Sequence, residues 1–255
     1  MAAGVRFLEH NLLVYRRTWR GTAFSTIVSP ILFLSAMGVM LGNLVPDLAE
    51  FGGASFLVFL APGLLAATAM QTATIESSWP LLAGFKWNKT FQGAIATPQE
   101  PRDIVLGHLY SMSVRLAFVT GIFMVVAFAF GAIDSPQGLL AWPAAILTGL
   151  AFGMPMAAWT ASRENESSFP LIFRFVITPM FLFSGTFFPI ERLPEALQAV
   201  AWLTPLYHGV ALARGFAIGQ DVDLLQLGVH ALVLIGLTVL GTLVALRTFH
   251  KRLIV

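Results

Sequence analysis

The chain has 255 residues, 57% of them apolar, and its mean hydropathy is +0.79. Its 15 basic and 13 acidic side chains make it 11% charged, against about 25% in soluble domains, too few to cover a water-exposed surface. That balance excludes a soluble domain, a disordered chain and a nucleic-acid-binding module, and the lack of cysteine excludes disulfides, thiolate metal sites and cysteine nucleophiles.

Residues 3–19 mix Val5, Phe7, Leu8, Leu12, Leu13, Tyr15 and Trp19 with Arg6, Glu9, His10, Arg16 and Arg17. This is the pattern of an amphipathic helix lying in a membrane interface; a solvated lead-in to the first span is the plainer alternative. The basic residues reach Arg20 and are followed by a full-length apolar run, so the segment is not read as a cleaved signal.

Charges then punctuate the chain. Uncharged runs of 26 residues separate Arg20 from Asp47, 25 separate Glu50 from Glu76, and 18 separate Arg115 from Asp134. Another 28 lie between Asp134 and Arg163, and 23 between Asp223 and Arg247. The 16 residues between Arg174 and Glu191 are extended backwards by the uncharged stretch Ser167 to Phe173. With about 20 residues needed per spanning helix, these gaps predict six spans, at 22–43, 54–76, 105–130, 140–161, 169–189 and 226–247. The expected fold is an all-α membrane protein forming a single transmembrane domain over 1–255.

Two connections are too long to be turns. Ser77 to Asp103 reads as two short helical pieces split by Pro80, Pro98 and Pro101, with Lys86, Trp87 and Lys89 exposed between them. In the stretch from Pro189 to Leu225, Leu193, Ala196, Leu197, Val200, Ala201 and Leu203 recur at helical spacing between Pro194 and Pro205. That piece is too short to span, which predicts short re-entrant or interfacial helices on the outer side before the last span.

Arginine and lysine cluster on one side of this layout: at Arg6 to Arg20, Lys86, Lys89, Arg102, Arg163, Arg174, Arg247, Lys251 and Arg252. The other side holds only Arg192 and Arg214 among seven acidic residues. The positive-inside rule then places both termini in the cytoplasm, as an even number of spans also requires.

No catalytic or metal-binding motif is present. The stretch ending Lys89-Thr90 resembles the end of a phosphate-binding loop, but Ala83 and Asn88 stand where its two glycines belong. Ionisable groups within spans are scarce: Arg115 in the third, Glu76 at the inner end of the second, and His230 near the outer end of the sixth. Arg115 reads as snorkelling or paired with a neighbouring helix; an ion-coupled secondary carrier would instead use it for transport. Gly38 and Gly42, and Gly149 and Gly153, are small-residue pairs suited to helix packing or a dimer interface. Phe173, Phe181, Phe183, Phe187 and Phe188 crowd the fifth span, suited to lipid contact, core packing or the wall of a pathway for an amphipathic substrate.

Four stretches, in this order and placement, resemble the type-two permease family of ATP-binding-cassette exporters. They are the run from Thr90 to Pro98; Pro101-Arg102-Asp103-Ile104 entering the third span; Phe183-Ser184-Gly185-Thr186-Phe187-Phe188-Pro189; and Leu203-Thr204-Pro205-Leu206-Tyr207-His208 followed by Arg214. The resemblance covers nearly the whole chain, with Thr204 standing where relatives often carry Asn. It implies a permease subunit in the plasma (bacterial inner) membrane that pairs with a second copy or a paralogue. Separate cytoplasmic ATPase subunits would bind the ATP and magnesium, with no cofactor in this chain. It also implies that Lys86, Trp87, Asn88, Lys89, Thr97 and Pro98 form a coupling helix docking on the ATPase, with Glu164 and Glu166 as a secondary contact. Export of a lipidic, glycolipid or amphipathic drug-like cargo follows from the same resemblance, with a non-transporting assembly subunit as a further alternative.

Overall fold

The computed structural model describes residues 26–41, 55–133, 135–218 and 223–254. The expected amphipathic helix at 3–19 and Gly42 lie outside them. Among the described residues every regular element is helical. Helices are the form in which each backbone N–H and C=O is satisfied within its own segment, as a bilayer demands.

We number the helices α1 (Thr26–Gly38), α2 (Phe56–Glu76), α3 (Trp79–Lys86), α4 (Thr90–Ile95) and α5 (Pro101–Ala129). They continue as α6 (Ala141–Ala161), α7 (Phe169–Phe183), α8 (Glu195–Leu203), α9 (Pro205–Ile218) and α10 (Leu224–Ile254). Among the described residues, four stretches are long and apolar enough to cross a membrane: Phe56–Lys86, Pro101–Ala129, Pro136–Ala161 and Leu224–Ile254. Helices α1 and α7 are apolar but shorter, the former running into π-type turns over Leu34–Leu41.

Helix α2 is the hub. Ser55 caps it by accepting from the Val58 N–H, and Ala61, Ala66, Ala67, Ala69 and Ala73 keep its surface low so that α5, α6 and α9 approach closely. Its core partners include Leu116 and Phe123 from α5, Ala144 and Ala145 from α6, and Leu212 and Ala213 from α9. Helix α10 lies at the periphery: Leu232, Val239, Leu240 and Leu243 are exposed, while Leu234, Ala245 and Phe249 face inward.

Several boundaries differ from those predicted by charge gaps. The third predicted span begins at Pro101, four residues early, because Glu100 and Asp103 form a reciprocal capping box around a proline in the first turn. The fifth predicted span, α7, stops at Phe183 and not at 189, just before Gly185 takes a left-handed φ of +81°. The last helix continues through Arg247 to Ile254, held by its buried Phe249. The first long connection does hold two short helices, but they part at Trp87–Lys89, where Lys89 adopts φ +49°, and not at a proline. Pro80 instead opens α3: it cannot donate to Glu76 and its ring crowds that carbonyl, so α2 breaks at Ser77 and Ser78.

Candidate docking face and cleft

The connection between α2 and α5 forms an elbow with a dry inner side and a bare outer side. Inside, Phe85 of α3, Phe91 of α4 and Phe249 of α10 meet with ring centroids 4.6, 5.0 and 6.0 Å apart. Leu81, Ile104, Val105, Met154 and Ala157 complete the cluster. Gly84 is required there: a Cβ would sit 2.6 Å from the Phe91 ring. Gln92 donates to the Phe85 carbonyl (2.8 Å), binding α4 to α3. Arg252 lies over the Phe85 ring (4.2 Å) and donates to the carbonyls of Thr160 and Ala161, closing the end of α6.

Outside, Lys86, Trp87, Asn88, Lys89, Thr97 and Pro98 are all exposed, the Trp87 side chain among them at 53%. Lys86 Nζ stands 3.9 Å from Glu166, which brings the two expected contact loops to one face; Glu164 is exposed beside it. Both partners of that pair are more than two-fifths exposed, so it contributes little to stability. Arg163 stacks on the Trp159 ring at 3.7 Å on the same end of the bundle.

The break between α2 and α3 is clamped. Ser77 Oγ lies 3.2 Å from His108 Nε2, Thr160 donates to the Ser77 carbonyl (2.6 Å), and Ser78 Oγ donates back to Thr74 (2.9 Å). All of these side chains are buried, so α5 and α6 fix the angle of the elbow relative to α2.

One residue before the break, Glu76 Oε1 meets Arg115 Nη2 at 3.0 Å. This pair closes one end of a cleft of about 370 Å³ between α1, α2, α5 and α7. Thr68, Gln71 and Thr72 line its middle, and Phe33, Phe123 and Phe181 are among its apolar walls. Of the phenylalanines singled out in the sequence, Phe181 enters this lining and stacks edge-on with Phe187 (5.0 Å), which in turn neighbours Phe33. Phe173 instead packs on Trp79 at 5.3 Å. Phe183 is exposed, and Phe188 is half-buried past the Gly185 turn.

The glycines singled out seat helices of the same chain. Gly38 abuts Leu57; Gly149 lies where a Cβ would come within 2.6 Å of Leu116; Gly153 faces Met112 and Ala73.

At the end remote from the elbow, two of the quoted motifs meet. Thr204 caps α9 by accepting from the Tyr207 N–H (3.3 Å), with Pro205 opening the helix, and its hydroxyl lies 2.8 Å from that of Ser184. An Asn would cap equally well, so Thr204 preserves this role. Arg214 donates to the carbonyls of Gly185 (2.9 Å) and Phe59 (3.3 Å) and lies over the Phe59 ring, tying α9 to α2 and to the turn after α7. Its burial pulls the guanidinium down to about 9. His208 and His230 face each other with Nδ1 atoms 2.7 Å apart, both edge-on to Tyr207. The contacts of Arg214 and of the two histidines were missed because each joins residues distant in sequence, whereas the reading of Arg115 as paired with a neighbouring helix agrees with its ion pair to Glu76.

A bundle of apolar helices with a rigid exposed elbow at one end and an amphipathic cleft beside its hub defines a membrane transport protein. The ABC-2 type transporter family matches residues 6–218, and the chain belongs to that family as a transport permease. It is 30% identical over 223 residues to Nodulation protein J of Rhizobium meliloti (strain 1021), covering 87% of this chain and 83% of that one. Nodulation protein J of Rhizobium leguminosarum bv. viciae is 29% identical over 256 residues, covering 99% and 96%. The inner membrane transport permease YadH of Escherichia coli (strain K12) is 22% identical over 214 residues, covering 82% and 81%.

Proposed function

We propose that this chain is the membrane-spanning half of an exporter, powered by separate cytoplasmic ATPase subunits and completed by a second permease copy or paralogue. In this reading α1 and α7, as the first and fifth spans, join the four longer stretches to make the six spans of a single domain. The elbow and both termini face the cytoplasm, and α8 and α9 lie towards the outer side of the plasma (bacterial inner) membrane. ATP and magnesium are bound by the partner. The cargo is lipidic, glycolipid or amphipathic and drug-like, passing the wall that includes Phe181 and Phe187.

The observation that carries the reading is the two-sided elbow: an aromatic cluster welds α3 and α4 to α5, α6 and α10, while Lys86 to Lys89 are left bare. A half-exposed tryptophan beside two lysines suits a protein partner, where aromatic anchors concentrate binding energy. Rigid attachment to α2 suits transmission of a rigid-body displacement. Co-purification with the cognate ATPase is the test. Lys86→Glu with Trp87→Ala should weaken that association by about 10²-fold or more, as loss of an aromatic anchor and a charge pair does. Undiminished assembly and transport in the double variant would refute the docking assignment, and robust ATP hydrolysis by the purified chain alone would refute the division of labour.

A further inference from the structure

At the end of the bundle remote from the elbow, two imidazoles from different helices point at one another. His208 lies in the first turn of α9 and His230 in the second turn of α10, and their Nδ1 atoms are 2.7 Å apart. The two helices are in close contact: a Cβ on Gly215 of α9 would come within 2.7 Å of Leu227 of α10. The pair is therefore set on rigid elements and not on a loop. Tyr207 stands edge-on to both rings, with centroids 5.5 and 5.6 Å away. A hydrogen bond to the Trp202 backbone also holds His208, the kind of outer partner that orients a metal-binding imidazole.

Two neutral imidazoles share a single proton between their facing nitrogens, so one Nδ1 donates and the other accepts. If that proton moves to Nε2 of its own ring, both rings stay neutral and two lone pairs converge on one point. A tetrahedral zinc ion with Zn–N bonds of about 2.0–2.1 Å needs those nitrogens about 3.3 Å apart. The pair reaches that spacing by opening about 0.6 Å, a small ring rotation for two half-buried side chains. Imidazole nitrogen suits zinc, copper and nickel, whereas magnesium and calcium take oxygen ligands. Among the described residues no group of three or more His, Asp or Glu side chains could hold a metal ion, so water fills the remaining positions. Charge nearby is offset, since Glu191 and Arg214 act in opposite senses on Tyr207.

We propose that His208 and His230 form a two-histidine site for a borderline-soft divalent transition metal, zinc or copper, and that the bound ion staples α9 to α10. Helix α10 is gripped at its other end by the buried Phe249, so the ion fixes the end that this cluster does not reach. The site rests on the ring geometry and not on the export reading. That reading adds only that the site faces the outer side, where an ion in the medium reaches it without crossing the membrane.

The test uses the full-length protein in phosphatidylcholine nanodiscs, stripped with chelator and carrying no polyhistidine tag. Zinc affinity is read by competition with a fluorescent zinc indicator. His208→Gln and His230→Gln keep a polar side chain but remove the nitrogen ligand. Each should weaken zinc binding by about 10–100-fold or more, since even the loss of an outer-shell partner costs that much. Because the chain has no cysteine, His208→Cys puts a unique thiolate ligand in place of the imidazole and should retain zinc binding, which a folding defect would not do. Magnesium in large excess should not compete. Copper(II) at the site should show two nitrogen couplings in its electron paramagnetic resonance spectrum, and one in either glutamine variant. Zinc at about ten times its Kd should slow amide exchange over 224–234 about tenfold, with 61–73 unchanged. Unaltered zinc affinity in the glutamine variants, loss in the cysteine variant as complete as in those, equal competition by magnesium, or an unchanged nitrogen count for copper would overturn the site. Exchange over 224–234 that ignores zinc would overturn the staple.

Discussion

Replacing Phe249 with alanine removes the aromatic side chain by which α10 grips both helices of the elbow. Phe249 has no exposed surface and packs against both the Phe85 and Phe91 rings, so truncation opens a void that Arg252 and Leu253 cannot fill without releasing other contacts. Buried Phe→Ala changes cost about 3–5 kcal/mol. The cost here is local, because the hub around α2 uses a separate set of buried residues. Taking about 3 kcal/mol as the share felt by the elbow, its opening equilibrium rises on the order of a hundredfold. Amide hydrogen exchange in nanodiscs should therefore accelerate by that factor across 79–95 while 61–73 stays protected. Phe249→Leu, which keeps most of the volume, should recover most of the protection. Unchanged exchange at 79–95, or equal acceleration in both segments, would refute the view that this cluster is an independent anchor.

Two further outcomes follow from packing and charge. Gly149→Leu places a side chain against Leu116 and the Ala69 carbonyl and should cost about 1–3 kcal/mol. Gly236→Ala, which meets open space, should leave the melting temperature in detergent unchanged or raise it; equal losses would refute the close-approach argument. His208 and His230 can hold only one proton between their facing nitrogens, and burial lowers His208 below its ordinary value near 6.5, with the Tyr207 ring against it and Glu191 and Arg214 acting on Tyr207. A depressed histidine leaves stability complete above about pH 6.5 and diminished as pH falls through the folded value. The melting temperature should thus drop by a few degrees, roughly 2–4 °C per kcal/mol, between about pH 7.5 and 5.5. His230→Asn should flatten that slope, and an identical slope in the variant would remove the pair as its source.

The helical layout was readable because charges are expensive inside a bilayer, so uncharged runs report where helices can lie. The ranges 54–76 and 140–161 fall within two residues of α2 and α6, whose C-terminal ends fall within one residue of the ends of those runs. Where a helix leaves the apolar zone and continues, charge gaps mislead. Asp103 and Arg102 belong to α5 because a capping box starts it, and Lys251 and Arg252 belong to α10 because Phe249 needs a helix to carry it inward. Exposure of Lys86, Trp87 and Lys89 was legible from composition; the aromatic anchor behind them was not. Phe85, Phe91 and Phe249 come from three helices whose register no local pattern encodes. The cleft was hidden for the same reason: Glu76 and Arg115 were noticed separately, and only the antiparallel placement of α2 and α5 makes them one neutral pair.

The clamped break at Ser77 and Ser78 gives α2 and α3 the mechanics of a bell crank. At 1.5 Å per residue, the 21-residue α2 is an arm of about 30 Å and the 8-residue α3 one of about 12 Å. Were the two arms to rotate together about that fulcrum with its angle held, a displacement at Trp87 would reach Phe56 magnified roughly two and a half times. Glu76, almost on the pivot, would hardly travel, so leverage would be greatest at the far rim and smallest where the opposite charges meet.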